Sequence, residues 1–209
     1  MSDHHFAQAV TLNKRLLVNN PLVLTDGRYE MNFAELEELC RDENNKMLIL
    51  CSPHNPVGRV WTKEELTRVA EICYENSVIL VSDEIHFDIT KNPHTVLTSI
   101  DKKYNGNTII CTAASKSFNI AGLGTSNIII ANEKLREAFE QMLEIDGYGC
   151  INAFSYPALL AAYTECDEWL DEMNSRIQSN YKILAEFVRE YMPEAFLSPL
   201  EGTYLAWLN

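Results

Sequence analysis

Apolar residues along the chain fall into two rhythms. Four short runs, 47–51, 78–81, 108–112 and 127–131, are continuous rather than alternating, the pattern of strands covered on both faces. Between and after them apolar positions recur at helical spacing. Residues 62–76 open on Thr-Lys-Glu-Glu, where Thr62 and Glu65 have capping-box spacing. Residues 132–145 follow Asn132, a good helix cap. Strand, helix, strand in this order predicts an α/β fold with a mostly parallel sheet flanked by helices. After Gly149 the pattern changes to two helices, 155–164 and 168–191, then Pro193, Pro199 and an apolar run at 204–208 that reads as a strand. A boundary is expected near 167–171. Residues 1–166 then form a large-domain core, incomplete at its N-terminus, and 167–209 begin a smaller C-terminal α+β domain, also incomplete.

The chain has 209 residues, 46% hydrophobic and 22% charged, which suits a soluble globular protein with one good core or two modest ones. Its net charge of -13 argues against nucleic acid and anionic membranes as partners, since both would repel it. No apolar run approaches the roughly 18 residues of a membrane span, and residues 1–10 lack the basic-then-apolar pattern of a secretory leader. Six cysteines lie scattered without a C-x-x-C pair. They read as free, mostly buried thiols of a cytoplasmic protein rather than disulfides or zinc ligands.

Ligands of open α/β sheets bind beyond the carboxyl ends of the strands. Three such ends carry unusual polar residues: the segment around Asn55, the acidic segment at Asp83 and His86, and the loop with Ser115 and Lys116. Taken singly, Asn55 suits a turn, Asp83 a helix cap, and Lys116 a solvated loop charge. The histidines His54, His86 and His94 beside Asp83 and Glu84 lack the helix-face spacing of a metal site, so no metal is expected. Gly122-x-Gly124 is too short a pattern for a nucleotide loop. Trp61, Tyr148 and Tyr156 read as packing residues, and Glu35, Glu37 and Glu38 as a solvated helix face.

Together, Ser52-Pro-His-Asn-Pro-Val-Gly-Arg-Val-Trp61, Ser82-Asp-Glu-Ile-His86 and Ser115-Lys-Ser-Phe-Asn-Ile-Ala-Gly-Leu123 resemble the fold-type I pyridoxal-phosphate (PLP) enzymes. This is the aminotransferase class I/II superfamily, and the wording is nearest its MalY/PatB-type cystathionine β-lyase branch. The resemblance runs from about Phe6 onward. It implies that Lys116 carries the cofactor as a Schiff base and removes the substrate α-proton. It also implies that Asp83 pairs with the pyridine nitrogen, that Asn55 donates to the ring hydroxyl oxygen, and that Ser115 contacts the phosphate. His86 stands where many aminotransferases have a tyrosine, as in the lyase branch. Gly124 stands where many carry a phosphate-gripping arginine. The family's phosphate loop and ring-stacking aromatic fall before Met1, and its carboxylate-binding arginine falls after Asn209. The implied function is C–S β-lysis of cystathionine- or cysteine-type amino acids, with a class I/II aminotransferase or an inactive truncated domain as alternatives. A homodimer is expected from the same resemblance.

Overall fold

A computed structural model describes residues 4–209, with side chains from His5 onward. Residues 1–3, part of the stretch read for a leader, lie outside the described residues. The elements run α1 (His4–Leu12), β1 (Val23–Thr25), β2 (Arg28–Glu30), α2 (Phe33–Arg41), β3 (Met47–Cys51), α3 (Lys63–Glu75) and β4 (Ile79–Asp83). They continue with β5 (Thr108–Thr112), β6 (Asn127–Ile130), α4 (Glu133–Ile145), α5 (Ser155–Glu165) and α6 (Asp167–Tyr191). β1 and β2 form a small antiparallel hairpin. The main sheet has the order β3-β4-β5-β6, with β3, β4 and β5 parallel and β6 antiparallel at the edge.

The capping box forms as its spacing predicts. Thr62 accepts from the Glu65 amide at 3.2 Å, and Glu65 accepts from the Thr62 amide at 2.7 Å. Asn132 likewise caps α4 by accepting from the Leu135 amide. Along α3, Leu66, Val69, Ala70 and Cys73 recur on one helical face and are buried. They meet Leu36 and Cys40 of α2, Leu50 of β3, Leu80 of β4 and Ile110 of β5 in one core.

The sheet is not covered equally on its two faces. Along β4, Leu80 and Ser82 are buried while Ile79, Val81 and Asp83 are only half-buried. Here α2 and α3 share one core against one face, and β6 leaves Ile128 and Ile129 exposed. Two further expectations are corrected. The run at 204–208 is no strand; it makes one isolated bridge, Leu197 to Leu208, and the Trp207 carbonyl accepts from the Ser198 amide, while Asn209 just beyond it exchanges backbone bonds with Phe196. Tyr148 and Tyr156 do not pack, being 60% and 66% exposed; Tyr148 lies in the segment joining α4 to α5, and Tyr156 on the outer side of α5. Trp61 does pack: it is buried and donates to the Cys51 carbonyl at 2.8 Å. Of the acidic run, Glu35 is half-buried against Asn20 and Asn32, and Glu37 pairs with Arg41. Cys40, Cys51 and Cys73 are buried, whereas Cys150 is exposed. No helix among the described residues is long and apolar enough to cross a membrane.

The loop after β3 is locked by a buried cation. Arg59, whose side chain is 1% exposed, pairs with Glu65 of α3 at 2.8 Å and with Glu201 at 3.1 Å. It also lies 4.5 Å from the centre of the Trp61 ring and donates to the Tyr29 carbonyl. Glu201 lies in a segment that approaches closely through two glycines. The Gly58 carbonyl accepts from the Glu201 and Gly202 amides, and Gly58 has a φ of +76°. A Cβ on Gly202 would stand 2.7 Å from Val60 Cγ2, so this crossing requires glycine. Arg28 touches Glu201 too, but its side chain is 43% exposed. Arg59→Ala is therefore expected to cost about 3–5 kcal/mol by removing the buried cation that Glu65 and Glu201 share, and Arg28→Ala at most about 1 kcal/mol. Urea unfolding of the two variants measures both.

Candidate active site

The parallel register fixes the site. Cys51 of β3, Asp83 of β4 and Cys111 of β5 are direct neighbours across the sheet. The loops that leave these three strands therefore start from one edge. Asp83 is the middle position, with the Asn55 loop on one side and the Ser115–Lys116 loop on the other. Asp83 ends β4 itself and accepts from the Ile85 amide at 3.3 Å.

Neighbouring Glu84 serves the fold instead. It is buried and accepts from Ser82 Oγ at 2.9 Å and the Leu97 amide at 3.2 Å, and it contacts His94 Nε2 at 2.8 Å. Among the described residues, no three His, Cys, Asp or Glu side chains group as metal ligands.

His86 is enclosed at this edge. Its ring is 2% exposed, and neither nitrogen has a hydrogen-bond partner. Burial, aided by the positive charge of Lys116, lowers its pKa to about 4. His54 in the first loop is also lowered to about 4, chiefly by burial. Burial, with the charges of Asp83 and Glu84, raises Cys111 to about 11. The edge thus gathers an amine, a carboxylate and a buried, neutral imidazole. Four buried polar atoms there, Ser52 Oγ, His54 Nδ1 and both His86 nitrogens, have no hydrogen-bond partner. Such atoms suit a polar ligand that supplies the missing bonds.

Asn55 is half-buried, with its amide donating to Cys51 Sγ at 3.4 Å, and it lies between two prolines whose preceding peptide bonds are cis, Pro53 and Pro56. Ser115 and Lys116 are half-buried in the turn after β5. Gly124 is exposed, with a φ of +60°, and nothing lies within 4 Å of where its Cβ would be.

Further residues complete the edge without a signal in the sequence. Thr203 is buried with a φ of +67°, a strained conformation for a β-branched residue. Its amide donates to the Ile89 carbonyl at 2.8 Å, and the next residue, Tyr204, sets its ring 5.5 Å from His86. Asp88 accepts from Ser117 Oγ and the Tyr163 hydroxyl. Burial raises its pKa, and the two hydroxyls partly offset that. The adjacency of Ser117 to Lys116 was visible in the sequence, but nothing there pointed to Tyr163.

An open, mostly parallel sheet with Lys116 and Asp83 near the carboxyl ends of adjacent strands is an α/β fold of the kind that binds ligands at that edge. The chain belongs to the aminotransferase class I and II family, which matches residues 7–205. It is 38% identical over 206 residues to cystathionine beta-lyase PatB of Bacillus subtilis, covering 98% of this chain and 53% of that protein. The structure of cystalysin from Treponema denticola, which contains pyridoxal 5'-phosphate, is 41% identical with a TM-score of 0.94, covering 100% of this chain and 53% of that one. The PLP-bound C–S lyase from Staphylococcus hominis is 38% identical with a TM-score of 0.93, covering 100% and 52%. The chain thus spans about half the length of these relatives.

The two buried histidines make stability depend on pH. An unfolded chain protonates them near their ordinary value of 6.5, whereas the folded rings resist protonation down to about 4. Their contribution is complete above about pH 6.5 and is lost as the pH falls toward 4, at about 1.4 kcal/mol per pH unit for each ring. His86→Gln is expected to shrink the stability lost between about pH 7 and 5 by about 1–2 kcal/mol. Thermal unfolding of wild type and variant at both pH values measures this.

Proposed function

We propose that this chain is the cofactor-holding core of a PLP-dependent C–S β-lyase. It acts on cystathionine- or cysteine-type amino acids and releases thiol, pyruvate and ammonia. The observation that carries this reading is convergence: Asp83, His86 and Lys116 gather at the ends of adjacent strands, in a chain 38% identical to PatB. The four unpartnered polar atoms at the same edge fit a polar cofactor.

When bound, PLP supplies an electron sink for negative charge at the substrate α-carbon. Lys116 would hold the cofactor aldehyde and is the amine placed to take the substrate α-proton on Nζ. Asp83 would hold a proton on the ring nitrogen, Asn55 would donate to the ring hydroxyl oxygen, and Ser115 would bind the phosphate. His86, neutral near pH 7, adds no competing charge beside Lys116.

In this reading residues 1–166 form the cofactor-holding unit and 167–209 begin a smaller one. The working enzyme is a cytoplasmic homodimer. Exposed Phe154, Tyr156 and Leu160, at and along α5, support further protein packing there.

With excess PLP, the enzyme that contains this core is expected to release pyruvate from cystathionine without an added keto acid, and residues 1–209 alone are expected to do so poorly or not at all. Amino transfer to a keto acid with no pyruvate would make it an aminotransferase. Lys116→Ala is expected to abolish both the visible absorbance band and turnover. Asp83→Ala should lower turnover at least about 100-fold while shifting the melting temperature only a few degrees. Parallel losses of stability and activity would assign Asp83 a structural role instead.

A further inference from the structure

We propose that Asp88 is the positioning residue for Lys116. This rests on the reading of Lys116 as the cofactor-bearing lysine. Lysine has a flexible four-carbon stem, so its amine reaches a defined point only when its backbone is fixed. Ser117, directly after Lys116, is buried, and its Oγ donates to Asp88 Oδ2 at 2.8 Å. The Tyr163 hydroxyl from α5 donates to the same oxygen at 3.1 Å. From α6, Asn174 Nδ2 donates to the Asp88 carbonyl at 3.0 Å, and Trp169 Nε1 donates to the Ser117 carbonyl at 3.3 Å. Within the turn, the Phe118 amide closes on the Ala114 carbonyl at 2.9 Å.

Two helices and the loop after β4 thus converge on the residue beside Lys116. Two residues before Asp88, the same loop carries His86, the ring that feels the Lys116 charge. The aromatic members of this network, Tyr163 and Trp169, lie outside the core that α2 and α3 build against the sheet. Both hydroxyls donate to a single oxygen of Asp88. What the arrangement demands is therefore an acceptor in that place, which an asparagine amide oxygen also provides and an alanine does not.

The experiment follows the rate at which Lys116 captures PLP, stopped with borohydride and read by peptide mapping. Amide exchange over residues 113–119 is measured in parallel without cofactor. Wild type and Asp88→Asn are expected to capture at similar rates. Asp88→Ala and Ser117→Ala should capture about 10- to 100-fold more slowly, and Asp88→Ala should exchange residues 113–119 faster while α3 exchanges as before. Should Asp88→Ala fail to fold, Ser117→Ala, which removes one hydroxyl, decides the matter by the same capture rate. Capture at the wild-type rate by Ser117→Ala or a folded Asp88→Ala overturns the positioning role and leaves Lys116 in place. Equal slowing in Asp88→Asn and Asp88→Ala also overturns it, by assigning the effect to charge. A wild-type label on another lysine overturns both the role and the reading beneath it.

Discussion

The parallel register of β3, β4 and β5 is the constraint on which the rest of the structure depends. It sets Cys51, Asp83 and Cys111 side by side, so loops separated by about thirty residues each leave the sheet at one edge. A one-residue slip in β4 would turn Asp83 to the other face and send Leu80 out of the core. Burial of Leu80 and Ile110 under α3 resists that slip. The hydrophobic core that stabilises the chain and the edge that carries its chemistry are therefore specified by the same pairing.

The edge is held by polar contacts rather than by the core. On the β3 side the buried Arg59 joins the Asn55 loop to α3 and to Glu201. On the β5 side Asp88 joins the lysine loop to α5 and, through its carbonyl, to α6. Between them His86 stays neutral because it is dry and lies near a cation. A neutral imidazole leaves Asp83 as the formal negative charge nearest the middle of the edge, suited to a protonated ring nitrogen.

Much of this was legible in the sequence because it rests on local rules. Thr62 and Glu65 announce their helix by spacing, Asn132 by its side chain, and the apolar runs announce the parallel strands. Asp83, His86 and Lys116 were singled out by their place after strands together with the three motifs that resemble the family, and the sheet register brings the loops that carry them to one edge. What was not legible depends on distant contacts. Asp88 meets Tyr163 and Asn174 across separations of 75 and 86 residues, and no periodicity carries that information. The outward turn of Tyr148 and Tyr156, the half-covered sheet face and the absence of a strand at 204–208 follow from which neighbours are present, not from local composition. Thr203 illustrates the limit well, since nothing in its residue type suggests a left-handed backbone.

The most direct measurement is a crystal structure of the protein soaked with pyridoxal 5'-phosphate. The account predicts density continuous from Lys116 Nζ to the cofactor aldehyde carbon, with the ring nitrogen in hydrogen-bond contact with the Asp83 carboxylate. A cofactor joined to another lysine, or a ring nitrogen turned away from Asp83, would contradict it.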